Sequence, residues 1–186
     1  MTYKDPDWAQ DLVAQLEKWK SDRKIMAELR RGRGKDPIDC ISMHKWISRF
    51  ISDNQVNTGK EWAVYTIASQ FAIYPDFHNH HNSLGWSLQL LAQKSTSFSK
   101  NGIEVRLIRL TRSRTSAELC RRLPGILSLM AKHSEVGLSW SRLAADINRW
   151  DFNKSHVTRC WLRDFFDPQK VNPQELNTPV TTKGVN

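Results

Sequence analysis

The sequence predicts an all-α fold of about eight or nine helices, suited to a bundle, with no sheet. Apolar residues recur at the three-to-four-residue spacing that lines one helical face. Glycine, proline and Ser/Asn-rich stretches cut that pattern into segments of ordinary helix length. No run of strand length alternates apolar and polar residues.

Trp8, Leu12, Leu16 and Trp19 fall at i, i+4, i+8 and i+11, one face of a first helix, with Asp7 after Pro6 as its N-cap. A second helical stretch runs to Arg31, where Gly32 supplies the stop. Residues 32–37 hold two glycines and a proline and read as a flexible basic loop. Ile41, Trp46, Ile47, Phe50 and Ile51 predict the next helix, and residues 54–59 a polar turn. Residues 61–74 are strongly apolar and helical, with Trp62, Ile67, Ala68, Phe71 and Tyr74, and Pro75 ends them. A His- and Asn-rich loop, 76–83, precedes a short apolar helix over 84–93 that carries Leu88, Leu91 and Ala92. The Ser-rich stretch 94–101 reads as a linker between two helical halves. Residues 103–112 form an amphipathic helix. Residues 116–133 are helical too, but Pro124-Gly125 must kink or split them. Ser139 caps a helix with Leu143, Ile147 and Trp150, and Asn153 caps a last one with Val157, Trp161 and Phe165. Prolines 168, 173 and 179 punctuate a polar tail expected to be flexible. The expected organisation is an N-terminal bundle over 1–95, a C-terminal bundle over 96–167, and a tail over 168–186.

At 186 residues the chain can bury a core without staples. Its 39% hydrophobic and 25% charged content is that of a globular protein. The formal charge of +9 and a pI near 9.7 point to a polyanionic partner, because each neutralised phosphate releases condensed counterions. Cys40, Cys120 and Cys160 are scattered and odd in number, which suits a reducing cytosol and small buried apolar roles, and neither a disulfide framework nor a zinc site. No targeting signal and no apolar run of membrane-spanning length is seen, so no membrane partner is expected.

Positive charge concentrates in two places. The first is Lys20, Arg23, Lys24, Arg30, Arg31, Arg33 and Lys35, on a helix end and the glycine-rich loop behind it. Cations complementing a helix C-terminus account for Arg30 and Arg31, but not for Arg33 and Lys35 beyond it. The second is Arg106, Arg109, Arg112, Arg114, Arg121 and Arg122. Arg106, Arg109 and Arg112 form a stripe, with Ile103, Leu107 and Leu110 on the opposite face. Only Glu104 and Glu118 balance these arginines locally, so the reading as a phosphate-binding surface is preferred to that of an ordinary solvated helix. Arg142, Arg149, Lys154, Arg159 and Arg163 read as mixed surface, partly neutralised by Asp146, Asp151 and Asp164. The eight tryptophans fall mostly in phase with apolar neighbours and read as core rather than as base-stacking platforms, Trp86 least so.

Catalytic signatures are few. Asp76, His78, His80 and His81 are the only cluster that would suit a metal, but adjacent histidines in one loop diverge and no HxxxH or HExxH helix supports them, so a solvated polar loop is the expectation. No GxxxxGK(S/T), GxSxG or strand-turn-helix GxGxxG occurs. No cofactor and no metal are expected.

Several segments together resemble one family: Ala27–Lys35 with its Leu29-Arg30-Arg31-Gly32-Arg33-Gly34-Lys35 run, Ile67–Pro75, Asn82–Gly85, Arg121-Arg122-Leu123, Leu138–Leu143 with Asp146-Ile147 and Trp150, and Trp161–Phe166. In order and spacing, over about residues 10–167, they are similar to the small subunit, CasB, of the type I-E CRISPR surveillance complex Cascade. The resemblance implies two packed helical bundles and two copies lying head to tail. It implies contacts to the large and backbone subunits, the guide RNA–target DNA heteroduplex and the displaced non-target strand. It also implies a subunit that is not an enzyme, DNA cutting belonging to a separate recruited nuclease-helicase. Pro124-Gly125, the His-rich loop and the tail after Pro168 depart from the family pattern. A free-standing helical DNA- or RNA-binding protein and a metal-dependent nuclease at residues 76–81 are the competing expectations.

Overall fold

Caps and buried apolar faces account for each helix of the structure, a computed structural model that describes residues 5–79, 81–94, 99–133 and 136–167. Among these residues lie eight α-helices and three short 3-10 turns, and no strand. An isolated parallel bridge joins His78 to Leu138.

Helix α1 (Asp7–Trp19) buries Ala9, Leu12, Val13 and Leu16. Its N-cap is Pro6 rather than the expected Asp7, which is instead the first helical residue, where its charge complements the dipole. Helix α2 (Arg23–Arg30) starts at Asp22, whose carboxylate accepts from the backbone N–H of Lys24 and Ile25, a cap contributing about 1 kcal/mol. The third predicted helix is shorter than expected. Helix α3 (Ile41–Ile47) gives way to a 3-10 turn at Ser48–Phe50, and Ile51 is extended. Met43 and Ile47, four apart, define its buried face; Ile41 lies off that face and is 81% exposed.

Helix α4 (Gly59–Ile73) is the central element, buried along most of its length. It packs against α8 (Trp140–Phe166), α2, α7 (Ser116–Met130) and α1. Ala63, Ala68, Ser69 and Ala72 keep it slim enough to be surrounded. Helix α5 (Leu84–Lys94) also lies on α8. Their approach is so close that a Cβ at Gly85 would stand 2.1 Å from the Trp161 carbonyl oxygen. Helix α6 (Lys100–Thr111) is capped by Ser99, which accepts from Gly102 N–H, and it packs on α5 and α7. Half of the Ser-rich linker, including the expected boundary at residues 95 and 96, lies outside the described residues, as does the tail 168–186.

Two breaks were expected in the C-terminal half, and one is found. Helix α7, capped by Thr115, runs from Ser116 to Met130 without interruption at Pro124-Gly125. Proline costs a helix about 3 kcal/mol, but Leu119, Leu123, Ile126 and Leu127 anchor both sides of it in the core and override that cost. Helix α8 does break where Asn153 was expected to cap: φ −142°, ψ 37° at that residue separates two helical runs. Ser139 caps the first as expected, accepting from Arg142 N–H.

The core joins all eight helices in one cluster. Trp140, Trp150 and Trp161 are its largest fully buried side chains. Trp150 donates to Ser113 O at 3.1 Å and Trp161 to Asp146 Oδ2 at 2.6 Å, so both indole N–H groups are satisfied. Trp8, Trp19, Trp46 and Trp62 pack against the core from its edge. Cys40 and Cys120 are buried thiols, the latter pushed up to about 12 by burial, while Cys160 is partly exposed. Among the described residues no helix is long and apolar enough to cross a membrane.

The loop 76–83 is exposed at Asp76 and His81, as its composition leads one to expect, but among its described residues Asn79, Asn82 and Ser83 are tied into the fold. Asn79 N–H donates to Leu138 O at 3.0 Å, Ser139 N–H to Asn82 O at 2.9 Å, and the Asn82 amide to Gly137 O at 3.1 Å. Ser87 Oγ adds a bond to Gly137 O at 2.7 Å. The segment is a clasp that holds the entry of α8 against α5. Its asparagines serve because their amides bond backbone groups that the chain leaves over in a turn.

Candidate nucleic-acid interface

The first basic group is displayed unevenly. Lys20, Arg23, Lys24, Arg30, Arg31, Arg33 and Lys35 are all exposed, but two of them are engaged within the fold. Arg30 is tied back into the fold, its Nε donating to Ala72 O at 2.7 Å, which closes the C-terminal end of α4. Lys20 meets Asp76 of the clasp at 2.7 Å. The loop behind α2 owes its shape to its glycines. Gly34 takes φ +69°, where a side chain would be strained, and a Cβ at Gly32 would lie 2.0 Å from Met43 Sδ. The loop is also fastened. Asp36 accepts two hydrogen bonds from Arg121 of α7, at 3.1 Å from Nε and 2.7 Å from Nη2. The Arg121 guanidinium lies over the Trp62 ring at 5.1 Å. Lys35 and Arg121 therefore line one crevice with Trp62 and Cys120, and the two sequence-distant clusters meet at α7.

The second group faces outward as its periodicity requires. Ile103, Leu107 and Leu110 are buried, while Arg106, Arg109, Arg112 and Arg114 are exposed. Arg106, Arg109 and Arg112 line an open cleft of about 620 Å³ between α6 and α7, with Arg122, Leu110, Gly125 and Ile126 as the remaining wall and floor. Arg106 Nη1 donates to Gly102 O at 2.8 Å, one turn back on α6. Arg122 is set in place by Arg109 O at 2.7 Å and by Glu118 Oε1 at 2.5 Å. Glu118 also accepts from the Arg114 backbone N–H at 2.6 Å, and that bond, followed by the Arg122 charge, holds its carboxyl below the usual range. Both pairs are open to solvent, which screens them, so Arg121 and Arg122 can exchange a carboxylate for a phosphate.

The third group is less surface than it looked. Asp164 is fully buried, accepting from Ser83 Oγ at 2.6 Å, Arg163 at 3.0 Å and Arg142 at 3.5 Å. Asp146 is buried on Trp161, and burial pushes its carboxyl up to about 7. Asp151 accepts from Ser116 N–H and Oγ, both at 2.6 Å, holding the start of α7. These acids are structural, which periodicity alone does not reveal. Sequence reasoning also missed Arg49, whose exposed guanidinium lies 5.4 Å from the Trp19 ring and 5.0 Å from the Phe50 ring, beside the first group. Its one signal in the sequence was the adjacent Phe50, since Trp19 reaches it only through the fold. Among the described residues, no three His, Cys, Asp or Glu side chains gather as a metal ion would require, and His80 lies outside them.

Comparison with known proteins gives one consistent picture. The family described as CRISPR-associated protein Cse2 matches residues 25–166. No curated protein matches. A chain of a CRISPR RNA-guided surveillance complex is similar at 25% identity and TM-score 0.73, over 85% of this chain and 91% of that one. A Cse2-family CRISPR-associated protein from Thermus thermophilus shares the fold at 21% identity and TM-score 0.69, over 85% of this chain and 97% of that one. CasB from M. ruber shares it at 20% identity and TM-score 0.67, over 86% and 93%.

Proposed function

The chain belongs to the CRISPR-associated Cse2 family, and from that premise we propose that it is the small subunit of a Cascade-type RNA-guided surveillance complex. Its role there is to hold nucleic acid rather than to cut it. The observation that carries this reading is the joining of two basic groups on one helical body: the arginine-lined cleft between α6 and α7, and the loop that Asp36 fastens to Arg121 of α7.

Exchanging a DNA duplex for a guide RNA–target heteroduplex is nearly balanced in free energy, so protein contacts to the strand backbones decide how long the opened state lasts. A displaced single strand is a flexible polyanion. Guanidinium groups on a rigid frame bind it without reading its sequence and slow its return to the duplex. Arg31, Arg33 and Lys35 on one side, and Arg106, Arg109 and Arg112 on the other, are exposed and suited to this task. The partners are the guide RNA and target DNA, the large and backbone subunits, and a second copy of this chain. The two-bundle division at residues 95 and 96 belongs to the same reading.

The test is charge reversal in the assembled complex. Arg109→Glu with Arg112→Glu, or Arg31→Glu with Arg33→Glu, weakens binding of target duplex. Each phosphate that the variant no longer neutralises flattens the dependence of affinity on salt by about 0.7–0.9 in the logarithmic slope. Arg30 is left unchanged because it closes α4. Unaltered affinity and slope in both variants contradict the assignment.

A further inference from the structure

The proposed role needs only a smooth basic track along which a phosphate backbone can lie, and the surface between α6 and α7 is something else. It is a cleft of about 620 Å³, within the ~300–1,000 Å³ range of sites that enclose small ligands. Its floor is apolar, made by the edges of Leu110 and Ile126, and its rim is arginine. One rim cation is already set, since Arg122 is held by Arg109 O and Glu118. Gly125 contributes no side chain, and a Cβ there would meet nothing within 4 Å, so it leaves that wall open. This glycine belongs to the Pro124-Gly125 pair that neither breaks α7 nor packs into the core. An open wall in a helix that tolerates a proline beside it suits an occupant.

We propose that this cleft takes one nucleotide of a single strand out of its stack, with the base against Leu110, Gly125 and Ile126 and its phosphates against the arginines of the rim. The inference rests on the nucleic-acid reading given above and adds that a base, and not only phosphate, is bound. A nucleobase answers both halves of the cleft at once: its face covers apolar floor and stacks on guanidinium planes, and its phosphates neutralise the rim. An acidic peptide would neutralise the arginines but leave the floor uncovered.

The experiment uses the full chain and two labelled strands of equal length, one of oligo(dT) and one abasic, with the same phosphates and no bases. Fluorescence anisotropy across a salt series reads both. The wild type binds the thymine strand about 10-fold more tightly than the abasic one, the scale of one base–side-chain stack. Gly125→Leu starts from a Cβ that meets no protein atom within 4 Å, takes up cleft space, and binds both strands at the abasic level with an unchanged salt slope. Melting curves of Gly125→Leu report that α7 is intact. Equal binding of the two strands by the wild type, or a thymine preference that survives Gly125→Leu, overturns the inference while leaving salt-dependent strand binding in place. Absence of salt-dependent binding to either strand overturns the nucleic-acid reading itself.

Discussion

Asp36 and Arg121 stand 85 positions apart and share two hydrogen bonds, which no count of local charges reveals. Both side chains are well exposed, so the pair contributes at most about 1 kcal/mol to stability. Asp36→Asn is expected to leave the melting temperature nearly unchanged and to raise the formal charge by one from +9. It also frees Arg121 for phosphate, so strand affinity at low salt rises and its salt dependence steepens. A weaker-binding variant would show that the tether itself positions the loop for binding. Asp146 offers a second test at this scale. It is buried on Trp161, and its carboxyl titrates near 7 instead of 3.8. Between those values the unfolded chain has released the proton and the folded chain keeps it, so Asp146 makes the fold less stable as pH rises from about 4 to 7. Asp146→Asn keeps an acceptor for the indole N–H and removes the titration. The melting temperature of the variant is therefore expected to gain on the wild type across that interval and to hold a constant lead above it. Parallel melting profiles from pH 4 to 8 would refute this account of Asp146. What the sequence leaves dark at residue scale is long-range pairing. The acids of α8 looked like surface neutralisation, and only folding shows that Asp146 and Asp164 lie inside.

Helix faces were legible because a single spacing rule governs them. Leu12 and Leu16 face in and the arginine stripe of α6 faces out, as the period demands. Where the rule failed, packing outweighed local preference. Pro124 does not split α7 because four leucine and isoleucine anchors hold both halves of that helix in the core. Composition made residues 76–83 look solvated, although their asparagines bond the backbone at the entry to α8. Contact between α5 and α8 depends on Gly85, where a methyl group would need space occupied by the Trp161 backbone. Backbone cannot yield as a side-chain tip does, so Gly85→Ala forces the two helices apart and is expected to cost about 2–4 kcal/mol. Urea unfolding checks this through a lower midpoint at constant slope; an unfolding free energy within about 0.5 kcal/mol of the wild type would mean that α5 shifts freely.

For the whole molecule, the all-helical class and the two basic groups were open to reading from the chain, because period and charge are local. Their meeting at α7 was not, since it depends on where α4 carries Trp62 and where the loop after α2 returns. The account rests on those cations being held outward by a rigid body while the body itself binds nothing by sequence. The most direct measurement is the rate at which the displaced DNA strand re-anneals in the assembled complex, followed by a fluorophore–quencher pair across the opened duplex. With Arg109→Glu and Arg112→Glu in this subunit, the account predicts faster re-annealing than in the wild-type complex, with the difference shrinking as salt rises. Re-annealing at the wild-type rate at low salt, in a complex that retains this subunit, would contradict it.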